Sequence, residues 1–289
     1  MYRALLFIFG LVIGSFLNVV IARYNPDRWI LSIHQLLGRS RCSSCHKTLR
    51  WYELIPVISF LIQGGRCRSC GVLIPMQYLL VELASGFIFL LPFYLYTVTM
   101  SWWYIGAISS IWILVALIGV MIWCIDFKTF IIPNELNGAL AILGIGLTAV
   151  ESKLGLFNEF AGSFSGSFAG MFGLRENIWI NHGVAALIAL FIIGGIVLIT
   201  RGRGMGIGDL KLVGALGLLF GWPDSLFIIM LSFFIGAGVS VCLLLQKKKT
   251  LKDALPFGPF LILASTLIFF FGNDILGGYF AFFSNLFSQ

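Results

Sequence analysis

The chain has 289 residues, of which 59% are hydrophobic, 15% aromatic and only 11% charged. A soluble domain carries about a quarter charged residues, so this composition excludes a water-soluble core and predicts an all-α polytopic membrane protein. The net charge of +7 would suit a nucleic-acid binder. The Lys247 to Lys249 run, however, directly follows an apolar span and reads as an anchor on anionic lipid headgroups, so the expected partner is the lipid bilayer and no nucleic acid.

A span needs about 20 mostly apolar residues. Eight segments are candidates: 4–22, 76–98, 102–124, 131–150, 183–200, 209–222, 225–245 and 256–280. The first resembles a secretory signal, but only Arg3 precedes it, no small-x-small cleavage site follows, and positive charge comes after it. A retained anchor is therefore expected. Its Gly10 and Gly14 stand four apart on one helix face and allow a neighbouring helix to approach closely in lipid.

Residues 23–75 are the only sizeable polar segment, with eight Lys or Arg, four of the six cysteines and two of the three histidines. About 50 residues bury too little apolar surface to fold without a staple. Cys42-Ser-Ser-Cys45 and Cys67-Arg-Ser-Cys70 supply one, since two C-x-x-C turns 21 residues apart match the spacing of a structural zinc site. Two disulfides or a redox pair are the competing readings, and a cytosolic location disfavours the first. His46 is a further ligand candidate, but four thiolates already complete a tetrahedral ion. Cys124 and Cys242, inside apolar spans, read as small hydrophobes. The expected organisation is a first transmembrane helix (1–22), a cytosolic zinc module (23–75) and a membrane domain (76–289).

Further along, Trp102, Trp103, Tyr104 and Trp222 mark span ends, where aromatic belts form. The two weakest spans are 131–150, which opens on Pro133 and Asn134, and 209–222, which is short and opens on an aspartate. Residues 151–182, with Gly162-Ser-Phe-Ser-Gly-Ser-Phe-Ala-Gly, read as a connector without chemistry. Gly217 and Gly221 repeat the four-residue glycine spacing, and Asp27, Asp224, Asp253 and Asp274 read as loop residues. With the amino terminus outside, the inner segments hold 16 of the 19 Lys and Arg. The positive-inside rule thus favours eight spans, with the zinc module and the inner loop ends in the cytosol.

Two aspartates stand out against this apolar background: Asp126 in Trp123-Cys-Ile-Asp-Phe-Lys and Asp209 in Gly204-Met-Gly-Ile-Gly-Asp-Leu-Lys. A carboxyl near hydrocarbon costs roughly 2.5 to 3.5 kcal/mol on insertion scales, so each marks a functional site. A pair brought together by helix packing can hydrolyse a peptide bond, one carboxylate activating water while the other donates to the carbonyl. A single such aspartate would more often be only a helix cap. Gly206 and Gly208 keep side chains away from an approaching substrate. Pro133 marks a helix start near the pair, and Lys211 lies beside it.

Several stretches together resemble the bacterial type IV prepilin peptidases. They include Gly14-Ser-Phe-Leu-Asn-Val-Val-Ile, Arg39-Ser-Arg-Cys-Ser-Ser-Cys, Trp51-Tyr-Glu-Leu-Ile-Pro-Val-Ile-Ser-Phe, Gly65-Arg-Cys-Arg-Ser-Cys-Gly and Tyr78-Leu-Leu-Val-Glu-Leu. Asp126-Phe-Lys-Thr-Phe-Ile-Ile-Pro-Asn-Glu-Leu-Asn, Gly204-Met-Gly-Ile-Gly-Asp-Leu-Lys-Leu and Pro256-Phe-Gly-Pro-Phe follow later. The resemblance implies an aspartic endopeptidase of Gly-x-Gly-Asp type in the bacterial inner membrane. It would use Asp126 and Asp209 to remove the basic leader of prepilins or pseudopilins after a glycine. It also implies N-methylation of the new amino terminus with S-adenosylmethionine, in the cysteine-bearing half. Glu53 and Glu82 are the nearest acidic groups to take the amine proton. The rival classes are a proton- or cation-coupled transporter, which should show repeats between its halves, and a scaffold with a zinc docking module.

Overall fold

The computed structural model describes residues 1–30, 32, 37–95, 102–154, 163, 177–202, 204–248, 250 and 253–287. Most of the 151–182 connector, together with His34, Arg175 and Lys249, lies outside them. Among the described residues all regular elements are helical. In chain order they are α1 (Tyr2–Ala22), a 3-10 turn (Trp51–Leu54), α2 (Ile58–Ile62), α3 (Met76–Ile88), α4 (Leu91–Tyr94) and α5 (Trp102–Thr129). Then come α6 (Asn134–Leu154), α7 (Ile178–Thr200), α8 (Ile207–Phe220), α9 (Asp224–Leu245) and α10 (Gly258–Phe287).

Among the described residues, each of the eight expected segments is largely helical. Five of the described helices are long and apolar enough to cross a bilayer: Tyr2–Ala22, Trp103–Thr129, Ile178–Thr200, Asp224–Leu245 and Gly258–Ile275. The other three fall short for separate reasons. Helix α3 stops at Ile88 because Pro92, four residues on, lacks the N–H that the Ile88 carbonyl needs. Helix α6 carries Glu135, Glu151 and Lys153, and α8 has only 14 residues.

The chain forms two compact units, Met1–Ile125 and Asp126–Gln289. In the first, α1 packs along α3 at near-backbone contact. A Cβ at Gly10 would lie 2.6 Å from the Ser85 carbonyl oxygen, and one at Gly14 would lie 2.7 Å from the Glu82 Cα. Lipid gives no hydrophobic drive between helices, so such intimate packing supplies the dispersion energy instead. Phe7 against Phe87 and Phe9 against Phe89, edge to face at 5.3 and 5.2 Å, extend the same seam.

The second unit is organised around α8, most of whose side chains are buried. A Cβ at Gly217 would fall 2.6 Å from the Ala186 Cα of α7, and one at Gly144 of α6 would fall 3.0 Å from the Leu218 backbone. Gly221 ends α8 with a φ of +69°, a left-handed value that glycine adopts without a steric penalty. At that end Asn181 exchanges hydrogen bonds with the Trp222 backbone at 3.0 and 2.8 Å. Asp224, expected as a loop residue, is fully buried, and the Ser163 hydroxyl donates to its Oδ2 at 2.9 Å.

Candidate active site and cysteine centre

Asp126 lies in the last turn of α5 and is buried, at 4% exposure. Its Oδ2 accepts the Gly258 N–H at 3.0 Å, which places the carboxyl on the amino-terminal end of α10. Asp209 lies in the first turn of α8 and is half-buried. Its Oδ2 accepts the Gly206 N–H at 3.1 Å, so this aspartate does serve as the cap that a lone residue would be. Both carboxyls therefore face positive helix ends, which favour a negative charge there.

Ile132 packs the space around the pair. A Cβ on Gly258 would sit 2.7 Å from Asp126 Oδ2 and 3.2 Å from Ile132 Cδ1, and one on Gly208 would sit 3.3 Å from Ile132 Cβ. Glycine at 258 is thus required for the Asp126 carboxyl to reach the helix end at all. Pro133 is buried beside Ile132 and opens α6. Lys211 donates from Nζ to Asn134 Oδ1 at 2.7 Å, and Asn137 donates from Nδ2 to the Gly208 carbonyl at 3.3 Å. The structure therefore gathers Asp126, Pro133, Gly206, Gly208, Asp209 and Lys211 in one unit. Gly258 and Asn137 were not expected from the sequence. Gly258 had a signal, a glycine before a proline at a helix start.

In the first unit, Glu53 Oε2 accepts the Arg50 N–H at 2.7 Å and closes the 3-10 turn. Glu82 is buried, and its Oε2 accepts the Val57 N–H at 2.8 Å. Val57 has a φ of +61°, a strained value for a β-branched residue, and the Glu82 hydrogen bond holds that turn. Ser15 also hydrogen-bonds the Glu82 side chain. Asn18 donates to the Tyr78 carbonyl at 2.9 Å, while Asn18 Oδ1 and Ser85 Oγ are buried without a protein partner. Glu53 and Glu82 thus sit in different settings, the first at an exposed turn and the second in a polar seam between α1 and α3.

The two cysteine pairs occupy matching hairpin turns. The Cys42 N–H donates to the Lys47 carbonyl and the Cys67 N–H to the Val72 carbonyl, and antiparallel bridges pair Arg41 with Thr48 and Arg66 with Leu73. His46 and Gly71 hold equivalent left-handed positions, with φ of +56° and +70°, so His46 does backbone duty in its turn. The four sulfurs of Cys42, Cys45, Cys67 and Cys70 lie within 4.8 Å of one another, and Cys42 and Cys70 are 3.8 Å apart. A tetrahedral zinc with bonds of about 2.3 Å sets its sulfurs about 3.8 Å apart, so the cluster fits such an ion. Backbone N–H groups of Cys45 and Ser44 pull the Cys42 thiol down to about 6. Those of Cys70 and Ser69 lower Cys67. For Cys70 the Val72 amide acts downward, but burial and the neighbouring thiols outweigh it and push the group up to about 11. The six cysteines are all free.

A carboxyl pair seated on two helix ends beside a glycine-lined surface is the equipment of a hydrolase. Residues 8–96 match the Bacterial Peptidase A24 N-terminal domain, and residues 112–241 match the Type IV leader peptidase family. A prepilin leader peptidase/N-methyltransferase of Aeromonas hydrophila is 31% identical over 298 residues, covering 96% of this chain and 94% of that protein. Proteins of the same name in Burkholderia pseudomallei (strain 1026b) and Pseudomonas aeruginosa are each 30% identical. They cover 96% and 94% of this chain and 89% and 91% of their own lengths. No solved structure matches. The chain belongs to the type IV leader peptidase family.

Proposed function

We propose that the enzyme removes the basic leader of prepilins or pseudopilins after a glycine, using Asp126 and Asp209, and then N-methylates the exposed amino terminus. The observation that carries the first step is the seating of both carboxyls in one unit, at the amino-terminal ends of α10 and α8. One carboxylate takes a proton from water as the water oxygen attacks the scissile carbonyl carbon. The other, protonated, donates to the carbonyl oxygen. The tetrahedral carbon then releases the amine, the C–N bond breaks, and the proton held by the first carboxyl passes to the leaving nitrogen. Gly206, Gly208 and Pro133 line the approach, and Lys211 braces it through Asn134. The site and the cysteine module face the cytosol of a bacterial inner membrane, where a cationic leader remains while the following apolar helix stays in lipid.

S-adenosylmethionine, when bound, supplies a methyl group from its sulfonium. Glu82 and Glu53 are the acidic groups that would take the amine proton in that transfer, and each carboxylate also holds a turn, through the Val57 and Arg50 N–H groups. The four cysteines would hold a structural zinc ion that fixes the module without touching substrate.

Incubating the purified enzyme with a synthetic prepilin and S-adenosylmethionine, then weighing the products, tests both steps. The expected masses correspond to loss of the leader and gain of one methyl. Asp126→Asn and Asp209→Asn should each abolish cleavage while the protein still inserts. Full processing by either variant would overturn the dyad.

A further inference from the structure

Asn134 and Asn137 are three apart on α6 and so share a helix face. Each reaches the start of α8: Asn134 Oδ1 accepts from Lys211 Nζ at 2.7 Å, and Asn137 Nδ2 donates to the Gly208 carbonyl at 3.3 Å. That carbonyl belongs to the peptide joining Gly208 to Asp209. Helix α6 is tied through Pro133 and Ile132 to the segment that leaves Asp126, so the two asparagines connect the aspartates' backbones by a short path. The contacts differ in exposure. Asn134 and Lys211 are exposed, whereas Asn137 is only 4% exposed and its Oδ1 is buried without a partner.

A buried amide oxygen left unpaired is destabilising, and leucine has nearly the same shape without that penalty. The Gly208 carbonyl lies inside α8, where helix geometry already offers it a donor. Asn137 is therefore costly for stability and dispensable for satisfying that carbonyl.

We infer that Asn137 is a positioning residue for the peptidase reaction: it fixes the Gly208–Asp209 peptide so that the Asp209 carboxyl faces Asp126, and its second amide atom accepts a hydrogen bond from water in the site. This rests on the reading of Asp126 and Asp209 as the hydrolytic pair. A misplacement of about 1 Å at such a pair is enough to cost about 100-fold in rate.

The test compares Asn137→Leu and Asn137→Asp with the wild-type enzyme in detergent or nanodiscs, using a synthetic prepilin. For Asn137→Leu, kcat should fall about 10- to 100-fold with KM within about threefold of wild type. Methylation of a pre-cleaved peptide by the same preparation should be unchanged. Asn137→Asp keeps the shape but places a third carboxylate by Asp209, so the pH–rate profile should move to higher pH. Wild-type kcat and an unmoved profile in both variants would overturn the inference. If Asn137→Leu does not accumulate, the profile of Asn137→Asp decides alone. Failure of the wild-type enzyme to cleave would instead defeat the peptidase reading.

Discussion

Gly258 shows how narrowly the Asp126 carboxyl is placed. Adding one carbon there would put Cβ 2.7 Å from Oδ2, whereas the same change at Gly208 meets nothing closer than Ile132 Cβ at 3.3 Å. Gly258→Ala should therefore reduce cleavage about 10- to 100-fold while Gly208→Ala costs less, an order that kinetic comparison of the two purified variants would check. The aspartates themselves were legible in the sequence because a carboxyl in an apolar run is rare. Asn137 was not, because an asparagine at the start of a helix reads as ordinary capping until its partner on another helix is known. Asp224 failed in the same way, since its burial involves a partner as remote in sequence as Ser163.

Among the elements, helix positions were readable because an apolar run of about 20 residues has few alternatives in lipid. Their ends were less so. Helix α5 runs on through Asp126 to Thr129 and stops at Phe130, whose φ of +58° leaves the helical region, whereas the apolar run alone ends near 124. The pairing of the two C-x-x-C turns was legible from their spacing, and the four sulfurs lie within 4.8 Å of one another. Replacing Cys42 and Cys67 with serine should remove bound metal and loosen residues 41–73, which metal analysis and proteolysis of the purified protein would show. Protons compete with a metal for the four thiolates, so metal should be retained at pH 7 and released progressively on acidification, measurable with a chromogenic chelator.

On the scale of the whole molecule, the candidate groups for the two reactions fall in separate compact units, Glu82 and the cysteines in the first and both aspartates in the second. The activities should then separate. Asp126→Asn protein should methylate a pre-cleaved peptide at the wild-type rate, and Glu82→Gln protein should cleave but methylate at least about tenfold more slowly, both read by product mass. Helix α8 carries one more implication. Its 14 residues measure about 21 Å, against a hydrocarbon thickness of about 30 Å, and the helices packed around it are longer. Enclosed by those longer neighbours, its charged end is recessed between them, so a pilin helix would present its junction there while its apolar body stays in lipid. Turnover should accordingly drop as the surrounding acyl chains are lengthened.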